Sequence, residues 1–227
     1  MWILGLTGAI GAGKSTLASS FRKMGVPVQC SDQEIHSLLN SDGEIQEKIR
    51  ALWPKAFVKG KISRLLLGEQ VALTSCGLET LEGILYPKIA QRQKKFLLRN
   101  QKKGIPVVVL DVPLLFEVGL DASCHRVILA SSPLFLRKQR VLGRKGMGEE
   151  KFRFFESHQM AEKERMKRAD FVIRCGLDKG SGLKRIQEIL DTLTQEPDPK
   201  WQGKWPTHLE RKSYGSINCI RHRNDGV

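Results

Sequence analysis

The chain contains no CxxC pair and no cysteine spacing suited to zinc. Its five cysteines, Cys30, Cys76, Cys124, Cys175 and Cys219, stand singly, which argues against a disulfide framework and for reduced thiols. Long apolar runs are also missing. The opening MWILGLTG has no basic leader, and its apolar run stops after six residues. No secretory signal and no membrane span are expected, and a cytoplasmic protein is. Aromatic residues make up only 7% and do not interleave with the Lys/Arg runs. That weighs against a base-stacking surface for single-stranded nucleic acid. No internal repeat is found, which excludes a repeat architecture.

With 227 residues, 41% hydrophobic and 27% charged, the composition is that of a soluble globular protein. The length suits one α/β body with inserted subdomains. The net charge is +14, and residues 137–185 hold 15 Lys and Arg against 7 Asp and Glu, so +8 of it lies there. Concentrated positive charge attracts phosphate of any kind, nucleotide or polymer, and does not choose between them.

Residues 8–15, GAIGAGKS, fit the pattern GxxxxGK[ST] without a forced position. The run WILGLT before them reads as a buried strand, and STLASSFRKMG after them as a helix closed by Gly25. Glycines at 8, 11 and 13 allow left-handed backbone and a close approach to phosphate. The amide N–H groups then form an anion cradle at a helix N-terminus. In such a cradle Lys14 reaches the β and γ phosphates and Ser15 offers a hydroxyl to Mg²⁺. Thr16 packs or caps.

Further along, VPVQC (26–30), IPVVVLD (105–111), HRVILAS (125–131) and ADFVIR (169–174) read as strands. Residues 43–103 are largely helical by period, with breaks at Pro54, Gly60, Gly68 and Gly77, and Pro87 interrupts a long basic helix. PLFLRKQRVL (133–142) is helical, as is GLKRIQEILDTL (182–193), whose Leu183, Ile186, Ile189, Leu190 and Leu193 should pack on the sheet. Strands alternating with helices behind a phosphate loop indicate an open parallel sheet with ligands at its carboxyl edge. The fold class expected is a P-loop NTPase-type three-layer α/β/α with a central parallel sheet, a helical substrate-binding insertion and a helical lid. Residues 196–227 have prolines, glycines and no period, and read as a loosely ordered tail.

Asp32 and Asp111 follow predicted strands and so lie near the loop. One could accept a proton from an attacking hydroxyl and the other hold Mg²⁺ through water. Each could instead cap a helix, Asp32 that of QEIHSLLN and Asp111 that of LLFE. Arg140 and Arg144, four apart before the glycine-broken GRKGMGEE, suit a lid that brings guanidinium groups over phosphates, or else a solvated basic helix. By chemistry alone His36 is a surface or hydrogen-bonding histidine. The cluster Phe152, Phe154 and Phe155 reads as lid packing.

Taken together, GLTGAIGAGKST, SDQEIHSLL, GKISRLLLGEQV, LEGILYPKI, VVVLDVPLLFEVGL, QRVLGRKGMGEE and AEKERMKRADFVI resemble the dephospho-CoA kinase family, in order and spacing, over residues 2 to about 193. The resemblance implies transfer of the γ-phosphoryl of ATP to the ribose 3′-hydroxyl of dephospho-CoA, with Mg²⁺. It implies that Gly11, Ala12, Gly13, Lys14, Ser15 and Thr16 form the ATP loop, with Ser15 and Asp111 on the metal. It implies Asp32 as catalytic base, with Lys14 and Arg140 assisting transfer and Arg144 on the nucleotide. His36 and Arg64 match basic acceptor-binding positions, and Asp111 and Glu117 the segment between the two substrates. The implied division is a core (1–32, 104–136, 169–195), a helical acceptor-binding region (33–103) and a lid (137–168).

The sequence departs from the family pattern in four places. Cys30 replaces the first aspartate of an Asp-x-Asp, Tyr86 the histidine of a His-Pro, Arg174-Cys175 an Asp-Asn, and Phe155 a frequent arginine. A kinase of another small hydroxyl substrate, such as a nucleoside or nucleotide, would share the loop and lid but not the VPLLFE segment. A basic P-loop nucleic-acid-binding or switch protein would need features not found, so small-molecule partners are expected and nucleic acid is not.

Overall fold

The computed structural model describes residues 1–176 and 179–207. In chain order the elements are β1 (Trp2–Gly8), α1 (Lys14–Lys23), β2 (Val28–Cys30), α2 (Ser31–Ser41), α3 (Gly43–Leu52), β3 (Phe57–Val58), β4 (Lys61–Ile62), α4 (Arg64–Leu73) and α5 (Gly77–Lys102). They continue with β5 (Val107–Asp111), β6 (Arg126–Ser131), α6 (Leu134–Leu142), α7 (Glu149–Ser157), α8 (Glu162–Arg168), β7 (Phe171–Arg174) and α9 (Lys179–Gln195).

Five strands form one sheet in the order β2-β5-β1-β6-β7, every pairing parallel. Side chains alternate across its faces, as strand geometry requires. Trp2, Leu4, Leu6, Val107, Val109, Ile128 and Ala130 pack toward α1 and α9. Ile3, Val108, Leu110 and Val127 pack toward α5 and the 112–120 turn. Both faces are covered, so β5 reads as one unbroken apolar run. Since all strands point the same way, residues following β1, β2, β5, β6 and β7 meet at a single carboxyl edge, where ligands bind in such sheets.

α1 ends as its sequence implies: Gly25 has φ 80°, the Val26 amide donates to Phe21 and the Gly25 amide to Arg22, a Schellman stop. α9 buries Ile186, Ile189 and Leu193 on the sheet, whereas Leu183 is exposed. A separate core of Leu38, Leu39, Ile45, Ile49, Trp53, Leu67, Val71, Leu85 and Ile89 holds α2 to α5 together.

Several local expectations fail. Gly68 lies inside α4 and Pro87 inside the 26-residue α5. An interior glycine costs about 1 kcal/mol and a proline about 3. Burial of Leu67 and Val71, and of Leu85, Ile89, Phe96 and Leu97, at about 2 kcal/mol each, offsets both. The break expected at Gly60 is a β3–β4 hairpin over residues 57–62, turned by Lys59 and Gly60 at positive φ. LLFE forms turns rather than a helix, so Asp111 caps nothing.

The tail expected to be loose is docked through residue 207. Trp205 is 5% exposed in the core beneath the sheet, and its indole Nε1 donates to Gln93 Oε1 at 3.1 Å. Gln101 donates to the Trp201 carbonyl at 2.9 Å, Arg126 pairs with Glu196 at 2.8 Å, and the N-terminal amine with Asp198. Residues 208–227 lie outside the described part. Among the described residues, Cys30, Cys124 and Cys175 are free thiols.

Candidate active site

β1 ends at Gly8, and the chain turns through residues 9–13 into α1. A Cβ on Gly8 would lie 2.6 Å from the Ala130 carbonyl. Gly11 (φ 78°) and Gly13 (φ 100°) are left-handed; added Cβ atoms would meet the Arg137 carbonyl at 2.7 Å and Cys175 Cβ at 2.8 Å. The Ala12 amide closes the turn on the Ala9 carbonyl at 3.0 Å. α1 opens at Lys14 with no side chain capping it. The Thr16 and Leu17 amides turn back to the Gly13 carbonyl at 3.0 and 3.2 Å, and the amides of Lys14 and Ser15 stand at the positive end of the helix dipole, which favours an anion. Ser15 and Thr16 are exposed in this turn.

The Lys14 ammonium is paired with Asp111, the two side chains being 12% and 2% exposed. Asp111 ends β5, level with Leu6 of β1 on one side and Cys30 of β2 on the other. Asp32 comes two residues after Cys30, exposed in the first turn of α2. It is not the capping residue, a position held by Cys30 without a side-chain bond. Burial pushes the Cys30 thiol above its ordinary pKa; the Gln33 amide opposes this, and Asp111 and Asp32 both add to it. That thiol thus senses both carboxylates at once.

Arg140 reaches across the edge. One guanidinium nitrogen donates to the Gly11 carbonyl at 3.2 Å and Ser132 Oγ at 3.0 Å, the other to the carbonyls of Cys175 at 3.1 Å and Gly176 at 2.7 Å. It is no solvated surface residue. Arg144 does not share its helix face, because α6 ends at Leu142 and Arg144 lies exposed in the following turn.

His36, exposed on α2, bonds Asn40 at 3.1 Å, and Arg64 is exposed at the first position of α4. Glu117 departs from expectation. It is 2% exposed, and its carboxylate accepts the Met160 amide at 2.7 Å, so it is closed to a ligand. Phe152 is buried, but Phe154 and Phe155 are 53% and 43% exposed, so only the first packs the lid as expected.

Two groups gave no local signal. Arg137, 3% exposed, is held by Glu156 and by Glu162 at 3.5 Å. Gln159 Oε1 accepts the Ile10 amide of the loop at 3.1 Å. Among the described residues no cluster of three or more His, Cys, Asp or Glu forms a metal cage, and no helix is long and apolar enough to cross a membrane.

A parallel sheet whose first strand and first helix are joined by a glycine loop, with lysine at the helix start, defines a P-loop kinase fold. A family model described as dephospho-CoA kinase matches residues 2–178. The dephospho-CoA kinase of Rhodopseudomonas palustris (strain BisB18) is 37% identical over 201 residues, covering 87% of this chain and 98% of the relative. That of Bartonella quintana is 36% identical over 193 residues, covering 85% and 98%. A crystal structure of a Thermus thermophilus protein superposes with a TM-score of 0.74 at 32% identity, covering 84% of this chain and 96% of the other. The chain belongs to the dephospho-CoA kinase family.

Proposed function

We infer that the protein transfers the γ-phosphoryl group of ATP to the ribose 3′-hydroxyl of dephospho-CoA, giving coenzyme A and ADP. One observation carries this. An uncapped helix N-terminus with a buried Lys14–Asp111 pair lies at the same sheet edge as the exposed Asp32.

The loop from Gly11 to Thr16 cradles the β and γ phosphates with its open amides and the Lys14 ammonium, while Ala12 closes the turn through its own amide. Positioning and charge stabilisation make up most of the catalysis of phosphoryl transfer. Asp32 accepts the proton of the attacking 3′-hydroxyl as the new O–P bond forms, and ADP leaves. Arg140, fixed against Gly11, sets positive charge beside the transferring group, and Arg144 reaches the nucleotide from the lid. His36 and Arg64 meet the acceptor's own phosphates.

Ser15 and Asp111 offer hard oxygen donors, one of them a buried carboxylate already facing a cation, and so fit Mg²⁺ with its retained waters. Held there, Mg²⁺ would supply positive charge to offset that of the phosphates. The core (1–32, 104–136, 169–195) carries the nucleotide, 33–103 the acceptor, and 137–168 acts as lid. Metabolite phosphorylation of this kind suits the cytoplasm.

A coupled ADP-release assay with dephospho-CoA, adenosine, AMP or no acceptor tests the reading. Turnover with dephospho-CoA well above the other three is expected. Faster turnover with adenosine or AMP would overturn it.

A further inference from the structure

Around Ile10 and Gly11 the outer wall of the phosphate loop is built from one distant stretch of chain. Gly11 lies under the Arg137 carbonyl, its own carbonyl accepts from Arg140, and the Ile10 amide donates to Gln159. All three partners fall within residues 137–160, the segment read as the lid. The next residue after Gln159 is fastened as well: the Met160 amide donates to the buried Glu117 carboxylate. Burial lowers the pKa of nearby Arg165, and the charge of Glu117 is the first of those opposing it. The corner between α7 and α8 is thus anchored at Glu117 and grips the loop at Ile10.

We propose that Gln159 is a positioning residue for the phosphate loop, holding the Ile10 peptide with its N–H outward so that the following amides keep their inward aim. The corner fixed by Glu117 makes loop geometry depend on lid position. This rests on the loop's binding of ATP. An amide can serve either a protein acceptor or a phosphate. With Ile10 committed to Gln159 and Ala12 to Ala9, the turn has one stable shape. The bond needs only an acceptor atom at Oε1, so its removal should matter while loss of the amide NH₂ should not.

The test uses Gln159→Met, which keeps the length but lacks the acceptor, and Gln159→Glu, which keeps the acceptor. Gln159 is half-buried, so both should fold. Gln159→Met should speed amide exchange at Ile10 about tenfold and raise KM for ATP about fivefold, the scale of one neutral hydrogen bond. KM for dephospho-CoA should stay within twofold. Gln159→Glu should retain slow exchange at Ile10, whatever its added charge does to ATP affinity. Unchanged Ile10 exchange in Gln159→Met, or equal rises in both KM values, would overturn the proposal. Calorimetry of ATP with the unaltered protein separates the two claims: no ATP binding there defeats the nucleotide site itself, independently of the exchange result.

Discussion

Around the phosphate loop, ionisable groups are buried or half-buried and committed to protein partners. Lys14 is paired with Asp111, Arg137 is clamped by Glu156, and Arg140 reaches four acceptors. On the proposed acceptor side Asp32, His36 and Arg64 are all exposed, above a core that is apolar. In the reading proposed above the nucleotide half is therefore preorganised, and a triphosphate would meet dipoles and charges already aimed. The proposed acceptor half is left solvated, so its groups could gather around a substrate whose arrival completes the site. On that reading a closed half sets the chemistry and an open half the choice of hydroxyl.

The most damaging way to break this contrast is to remove the ammonium from the closed half. Lys14→Ala should lower kcat at least about a hundredfold, the scale for losing one preorganised charge donor. ADP release measures it, and full activity would remove the ATP site from this edge. Asp32→Asn should lower kcat about a hundredfold while calorimetric ATP affinity stays unchanged, because general-base loss falls on transfer alone. Near-normal turnover would show that another group takes the proton.

Arg64→Ala sharpens the contrast from the open side. KM for dephospho-CoA should rise about tenfold with KM for ATP within twofold, as for one charge-assisted contact. A matching rise in both would mean the halves are not separate. Trp205→Ala lies behind the sheet, away from both. It should lower Tm by about 10 °C, from the cost of emptying an aromatic site, and leave both KM values in place. An unaltered Tm would show that the docked strap at 196–207 adds no stability.

The smallest effect is electrostatic. Hydrogen bonds from Lys48 and Lys88 hold Glu44 down to about 2, linking α3 to α5. A lowered folded-state value gives stability that is complete above the ordinary carboxylate pKa and is lost as pH falls from about 4.5 toward 2. Glu44→Gln should therefore lie slightly below the unaltered protein in Tm at pH 7 and meet it near pH 2. A difference that persists at pH 2 would assign the effect to something other than charge.

Legibility in the sequence followed the range of the interactions. GAIGAGKS, the Gly25 stop and the strand runs are written locally, since backbone freedom and alternating burial depend on neighbours a few residues away. Gly68 and Pro87 misled because their cost is local while the packing that outweighs it comes from other elements. Glu117 matched a family segment, yet its carboxylate is occupied by an amide 43 residues away. Gln159 gave no sign, because its meaning depends on Ile10, 149 residues earlier.

The sequence alone determined that this protein would have a glycine loop opening a helix on a parallel sheet, a lysine within it and carboxylates at strand ends. Only the tertiary structure decided that Lys14 faces Asp111, that Arg140 and Gln159 brace the loop from outside, and that Trp205 seals the back of the core. The physical reason is that glycine freedom and apolar periodicity act over a few bonds. A hydrogen bond or a packed indole needs partners that only the closed fold brings within about 3 to 4 Å.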